Sequence, residues 1–311
     1  MRFVRKEIKI CTRTRRLRWH LAIALTMVFG CTPVQVAQTP VLAPNDLVRL
    51  SVENELKAAN EFSFMFRARK ETLQGSQTEL WVQTREATVT MLIAINDQLL
   101  TAEQRQAEEA RLDDLLSNPD KLRHKQKQEK EDADQISRIV HAMPNAFIYE
   151  YDGTDTEKSG VGRLGDKLVR LKVRPNANFS PSSRTEQVLA GMQGYVLIDV
   201  NKYRLGEIDG TLCKNVSFGW GILAHLDKGG HLHIEFGKDG DSSWTITRVS
   251  LNFTGWILLF KSLGIRSDEV YSNFQSVPAN LTFAQGVAML KKSLLSKTGF
   301  GRTDGSGVER R

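Results

Sequence analysis

Cysteine is scarce in this chain, and the few present cannot pair within a folded domain. Of the three, Cys11 and Cys31 fall in the first 31 residues and only Cys213 lies further along. A lone thiol excludes an internal disulfide framework, so the fold must rest on its hydrophobic core. A Gly-x-Ser-x-Gly elbow and a phosphate-cradling glycine loop are also missing, which removes the usual sequence anchors for hydrolase and nucleotide chemistry. The apolar run at residues 21–30 is about half the roughly 20 residues that a spanning helix needs. No internal repeat is apparent.

An excess of basic charge is missing too, once its location is considered. The chain has 43 basic and 36 acidic residues, but Arg2, Arg5, Lys6, Lys9, Arg13, Arg15, Arg16 and Arg18 face a single acid, Glu7, in the first 18 positions. The remainder carries 35 of each sign and is formally neutral. A nucleic-acid partner is therefore not expected, because phosphate binding requires a surplus of Lys and Arg.

What is present begins with that basic segment. Followed by an apolar stretch, it has the order of an export signal, and residues 1–30 are expected to be removed. Val28-Phe29-Gly30-Cys31 resembles the lipobox of bacterial lipoproteins, in which the cysteine is lipidated and becomes the new N-terminus. Gly30 and Cys31 fit that motif well, while Phe29 is bulkier than usual, and an ordinary signal with an incidental cysteine is the alternative. Residues 31–45, with Pro33, Pro40 and Pro44, suit a semi-extended tether. The expected location is the cell envelope or periplasm, with the membrane reached through the lipid on Cys31.

Beyond the tether, residues 46–60 read as a helix with Asp46 as N-cap. Alternation of period two then predicts strands near 62–67, 79–83 and 89–95, joined by short polar turns. Residues 101–143 break this pattern. They are rich in Glu, Lys, Arg and Gln, and Asn118-Pro119 divides them into two helices. This segment is expected to be a solvated insertion whose last turns dock on the sheet, with a partner-binding role as the alternative. Strands resume after Pro144, at 147–151, 167–174, 195–199, 205–212, 231–236, 244–253, 257–260 and 269–274. A short helix falls at 182–190. An amphipathic helix at 281–295 closes a single domain of residues 46–298, and the tail 299–311 reads as disordered. The expected class is α+β, a mainly antiparallel sheet with helices packed on one face.

The segments Met192-Gln193-Gly194-Tyr195-Val196-Leu197-Ile198-Asp199 and Arg204-Leu205-Gly206-Glu207-Ile208-Asp209-Gly210 resemble the core of a family of uncharacterised exported bacterial proteins. The charge-rich insertion and Leu251-Asn252-Phe253-Thr254-Gly255 look typical of the same family, and the likeness covers most of residues 50–290. That family is similar in outline to LolA/LolB/RseB-type lipoprotein-handling proteins. The resemblance implies a strongly curved, half-open barrel with an apolar concave face that holds acyl chains, and it implies no catalytic residues.

Two residue sets are candidates for a site. Phe218, Trp220, Trp256 and Phe260 would line an acyl-chain cavity, or equally pack a plain core between sheet and helix. His231, His233 and Glu235 alternate along one strand face and could present two imidazoles and a carboxylate to a metal. The plainer reading makes them the exposed face of a half-buried strand, with Leu232, Ile234 and Phe236 inward. On that reading no metal or other cofactor is required. Cys213 is expected to be a buried, inert thiol. The function expected from all this is non-enzymatic binding of a lipid or lipoprotein acyl chain. A metal-assisted envelope enzyme and a module contacting an envelope protein through the insertion are the alternatives.

Overall fold

The structure, a computed structural model, describes residues 42–58, 61, 63–155, 161, 167–218, 224–240, 244–257 and 261–295. The expected signal, the lipobox at Cys31, most of the tether and the tail lie outside them, as do Trp220 and Phe260.

The chain opens with helix α1 (Pro44–Ala58) and the strands β1 (Ser63–Thr72), β2 (Gly75–Val82), β3 (Val89–Ile95) and β4 (Gln98–Leu99). Helices α2 (Ala102–Ser117) and α3 (Pro119–Ala146) follow, then β5 (Phe147–Asp155), β6 (Leu168–Pro175), α4 (Arg184–Leu189), β7 (Met192–Asp199) and β8 (Arg204–Leu212). The short strands β9 (Val216–Phe218) and β10 (Ala224–Leu226) precede β11 (His231–Gly237), β12 (Thr245–Ile257), β13 (Lys261–Val277) and helix α5 (Phe283–Leu295). All strand pairs are antiparallel. They form one 13-stranded sheet in the order β4-β3-β2-β1-β13-β12-β11-β8-β7-β6-β5, with β10 and β9 branching from β12. Among the described residues β4 and β5 remain the two ends, so the sheet is open and the class is α+β.

Directly opposed residues of an antiparallel ladder share a face. One row therefore runs Arg170, Leu197, Glu207, Glu235, Arg248 and Val270 across six strands, and the next runs Lys172, Tyr195, Asp209, His233, Ser250 and Asp268. The opposite face carries Leu171, Val196, Ile208, Ile234 and Val249. Helix α1 buries Leu47, Val48 and Val52 in one cluster with Leu171, Val196, Ile198 and Leu205 on that apolar face. The bidentate pair of Arg204 with Glu55, at 2.7 and 2.8 Å, fixes α1 to the start of β8. At the other end of the sheet, Leu80, Val82, Val89 and Met91 pack with Leu112 of α2 and Val287 and Leu290 of α5. Following the register through Arg67–Leu80 and Arg67–Ser272 places this second cluster on the polar side of the central strands. The helices thus cover opposite faces at opposite ends, where the sequence suggested one face throughout.

The insertion is more deeply built in than its composition implies. Strand β4 pairs only with Ala94 and Ile95, which leaves the rest of β3 as an edge. Side chains of the insertion satisfy it. Glu108 accepts the Leu92 N–H at 2.9 Å, Arg111 donates to the Thr90 carbonyl at 2.6 Å, and Glu129 accepts the Thr88 N–H at 2.9 Å. An edge strand covered in this way cannot recruit another chain. Docking therefore involves α2 and the first turns of α3 as well as the last turns, where Met143 and Ala146 join the α1 cluster.

Local signals place the helix boundaries. Thr101 and Gln104 form a reciprocal capping box at the start of α2, and Asn118 accepts from the N–H groups of Asp120 and Lys121 at the start of α3. Two expected boundaries move. Helix α1 begins at Pro44, with Asp46 in its first turn, because proline suits a helix start and a carboxylate there faces the positive end of the dipole. Helix α3 continues through Pro144 to Ala146, since packing of Met143, Pro144 and Ala146 holds its last turn.

Burial raises the pKa of Glu269 on β13, but hydrogen bonds from Lys70, Tyr271 and Ser267 outweigh it and leave the carboxyl below its ordinary value. A depressed native pKa contributes stability above the unfolded-state value and loses it as pH falls through the native one. Glu269→Gln should therefore flatten the loss of stability between about pH 5 and pH 3, a window set by the ordinary carboxyl pKa of about 4.3. Urea unfolding midpoints across that range check this; equal slopes for variant and parent would refute it.

Candidate functional site

The polar face of β8 and β11 gathers the largest group of ionisable side chains with metal-binding potential among the described residues. His233 stands between carboxylates: its Nδ1 is 3.1 Å from Asp209 Oδ2 and 3.6 Å from Glu207 Oε1, and its Nε2 is 3.0 Å from Glu235 Oε1. His231 Nε2 lies 3.1 Å from the same Asp209 oxygen, and the two imidazole planes are within 11° of parallel. The ladder explains the grouping, because β11 lies beside β8 with His233 opposite Asp209 and Glu235 opposite Glu207.

Glu207 is fully buried, at 0% exposure, whereas His231, His233 and Glu235 are half-buried. Leu197, also at 0%, and Val161 pack beside it on this face. The Tyr195 hydroxyl donates to Glu207 Oε1 at 2.5 Å. Burial, reinforced by the Glu207 carboxylate, raises the Tyr195 pKa well above its usual value, so the phenol stays a donor. Its ring carries the Arg170 guanidinium 3.6 Å from the centroid. Sequence reading found His231, His233 and Glu235 but missed Glu207, Asp209 and Tyr195. The signal available was the acid-x-acid alternation at 207 and 209; what it lacked was the strand that pairs with it.

His225 does not join this group. Its Nδ1 is 3.0 Å from Ser217 Oγ, its Nε2 is 3.4 Å from Asp227 Oδ1, and its ring stacks on Trp256 at 5.2 Å. These contacts follow from the register Ser217–His225–Trp256 across β9, β10 and β12.

Of the aromatic candidates, the two within the described residues do not share a face. Phe218 is opposed to Ala224 and Ile257 and buries in the α1 cluster, whereas Trp256 belongs to the alternate row and faces the other way. A cavity of about 450 Å³ opens beside β9, lined by Pro175, Phe179, Gln187, Lys214 and Ser217 among others, and neither Phe218 nor Trp256 contributes to it. Cys213 is a free thiol, half-buried rather than buried, with its sulfur 3.0 Å from the Gly191 carbonyl.

The apolar face changes character along its length. Leu171 and Val196 are fully buried beneath α1, at 0% and 2% exposure. Further along the same row Ile208, Ile234 and Val249 are only half-buried, as are Leu232 and Leu251 in the next row. In that second row Gly194 lies opposite Gly210, and the buried Met192 side chain covers Gly210. The main helix contacts with the sheet fall on β2, β3, β5, β8 and β9. The result is an apolar strip leading out of the core across β11 and β12, with Ile208, Ile234 and Leu232 packed against the edge of the α1 cluster.

Comparison with protein families, with curated proteins and with solved structures found no match. The fold itself is α+β, built on a large antiparallel sheet that is open among the described residues.

Proposed function

We propose that this is an exported, lipid-anchored protein that binds a lipid or lipoprotein acyl chain without catalysing a reaction, in the manner of the LolA/LolB/RseB type it resembles. The observation that carries the reading is the half-buried apolar strip Ile208, Ile234, Val249, Leu232 and Leu251. An alkyl chain laid on such a strip gains about 0.8 kcal/mol for each methylene removed from water, so eight give about 6 kcal/mol. Affinity of this kind follows apolar area more than polar contacts, as a carrier that must also release its cargo requires. The open sheet supports the half-barrel that the resemblance implies, and the basic, apolar and lipobox order of residues 1–31 supports export and anchoring at Cys31.

Mass spectrometry on protein extracted from an envelope fraction tests both parts. Under denaturing conditions a chain that starts at Cys31 should retain acyl mass, which marks the covalent anchor. Under native conditions a second increment should appear that is lost on denaturation and fragments to acyl species. Leu251→Glu should reduce that increment at least ten-fold while the circular dichroism stays unchanged. A native mass equal to the denatured one would sink the acyl-binding reading.

A further inference from the structure

We propose that the polar face of the same strands holds one divalent transition-metal ion, bound by Glu207, Asp209 and His233. This is independent of the acyl-chain reading, which concerns the opposite face. The ligating atoms of the three residues lie within 4.8 Å of one another. Around zinc, with bonds of about 2.0–2.1 Å, the edge of a coordination tetrahedron is roughly 3.3 Å. The two separations from His233 Nδ1, 3.1 Å to Asp209 and 3.6 Å to Glu207, already bracket that edge.

The surroundings are those a metal site needs. His233 points Nδ1 at the two carboxylates, and its other nitrogen meets Glu235 Oε1 at 3.0 Å. A carboxylate on the far nitrogen fixes the tautomer and orientation of a ligating imidazole. Tyr195 does the same for Glu207 through the 2.5 Å hydrogen bond. His231, its side chain 39% exposed, contacts Asp209 from the solvent side and stands where a fourth ligand or an entry point belongs. Electrostatics agree. Glu207, Asp209 and Glu235 are three carboxylates around one imidazole, with Glu207 wholly removed from water; Arg248, opposite Glu235, offsets part of this charge and a bound cation would offset more. The mixed nitrogen and oxygen donors suit zinc or a neighbouring first-row ion.

The test is calorimetric titration of Zn²⁺ into untagged protein stripped with EDTA and dialysed. One equivalent should bind with a Kd below about 10 µM, on the order expected for a three-ligand site with its outer shell in place. His233→Gln and Asp209→Asn should each weaken binding at least 100-fold, and Glu235→Gln by about 10- to 100-fold. Histidine ring signals in the NMR spectrum give a reading that needs no altered fold: Zn²⁺ should move those of His233 and His231 and leave His124, His141 and His225 in place. Three results would overturn the proposal: no binding tighter than 1 mM, binding that survives both His233→Gln and Asp209→Asn, or shifts confined to the other histidines.

Discussion

Gly194→Val should leave no stably folded protein. A Cβ at position 194 would lie 1.9 Å from the Asp209 carbonyl oxygen, 2.9 Å from its carbon and 3.0 Å from Gly210 Cα. All three obstacles are backbone atoms in the middle of the β7–β8 ladder, so no rotamer change relieves them. Separating the two strands would break hydrogen bonds along a register that runs from Met192–Leu212 to Asp199–Arg204. A cost above about 4 kcal/mol is expected, a large share of the 5–15 kcal/mol that holds a typical domain together. Gly264→Ala is the matched control, because nothing lies within 4 Å of a Cβ built there. It should change stability by no more than about 0.5 kcal/mol. Urea unfolding of both variants decides the matter. A Gly194→Val protein as stable as the parent would mean that β7 and β8 do not pair in this register.

The second large effect is expected at Leu112. This side chain of α2 is completely buried, at 0% exposure, among Leu80, Met91 and Leu290. Leu112→Ala removes its methyl groups and leaves a cavity between helix and sheet, for a loss of about 2–5 kcal/mol. An independent, solvated insertion would tolerate the same change almost without cost, so the measurement separates the two pictures. Removing residues 101–143 altogether would also strip Thr88, Thr90 and Leu92 of the partners that Glu129, Arg111 and Glu108 provide. The edge exposed in that way should aggregate. A soluble, monomeric deletion protein with the parent's unfolding midpoint would contradict this.

Much of the fold was legible because it is written in short-range chemistry. Period-two alternation marked the major strands, Asn118-Pro119 divided the insertion, and its Glu, Lys, Arg and Gln content marked its extent. The short strands β4, β9 and β10, of two or three residues each, are too brief for a period to show. Strand β13 runs for 17 residues, yet only its end was readable, because Gly264, Arg266 and Asp268 break the hydrophobic rhythm. Those charges are tolerated because they stand on the polar face, where Asp268 pairs with Arg248. The histidine pair was legible for the same local reason. Its carboxylate partners were not, since Asp209 and His233 are 24 residues apart and meet only through the register of β8 with β11. Sequence periodicity states which residues share a face of one strand, but not which strand lies beside it.

Helix α3 has a consequence for the molecule as a mechanical object. At 28 residues it is about 42 Å long, and it touches the packed groups at both ends of the sheet: Leu122 meets the one beneath α2 and α5, while Met143 and Ala146 belong to the one beneath α1. A rod braced at both ends ties their fates together. Neither end of the sheet is expected to come apart without pulling on the other.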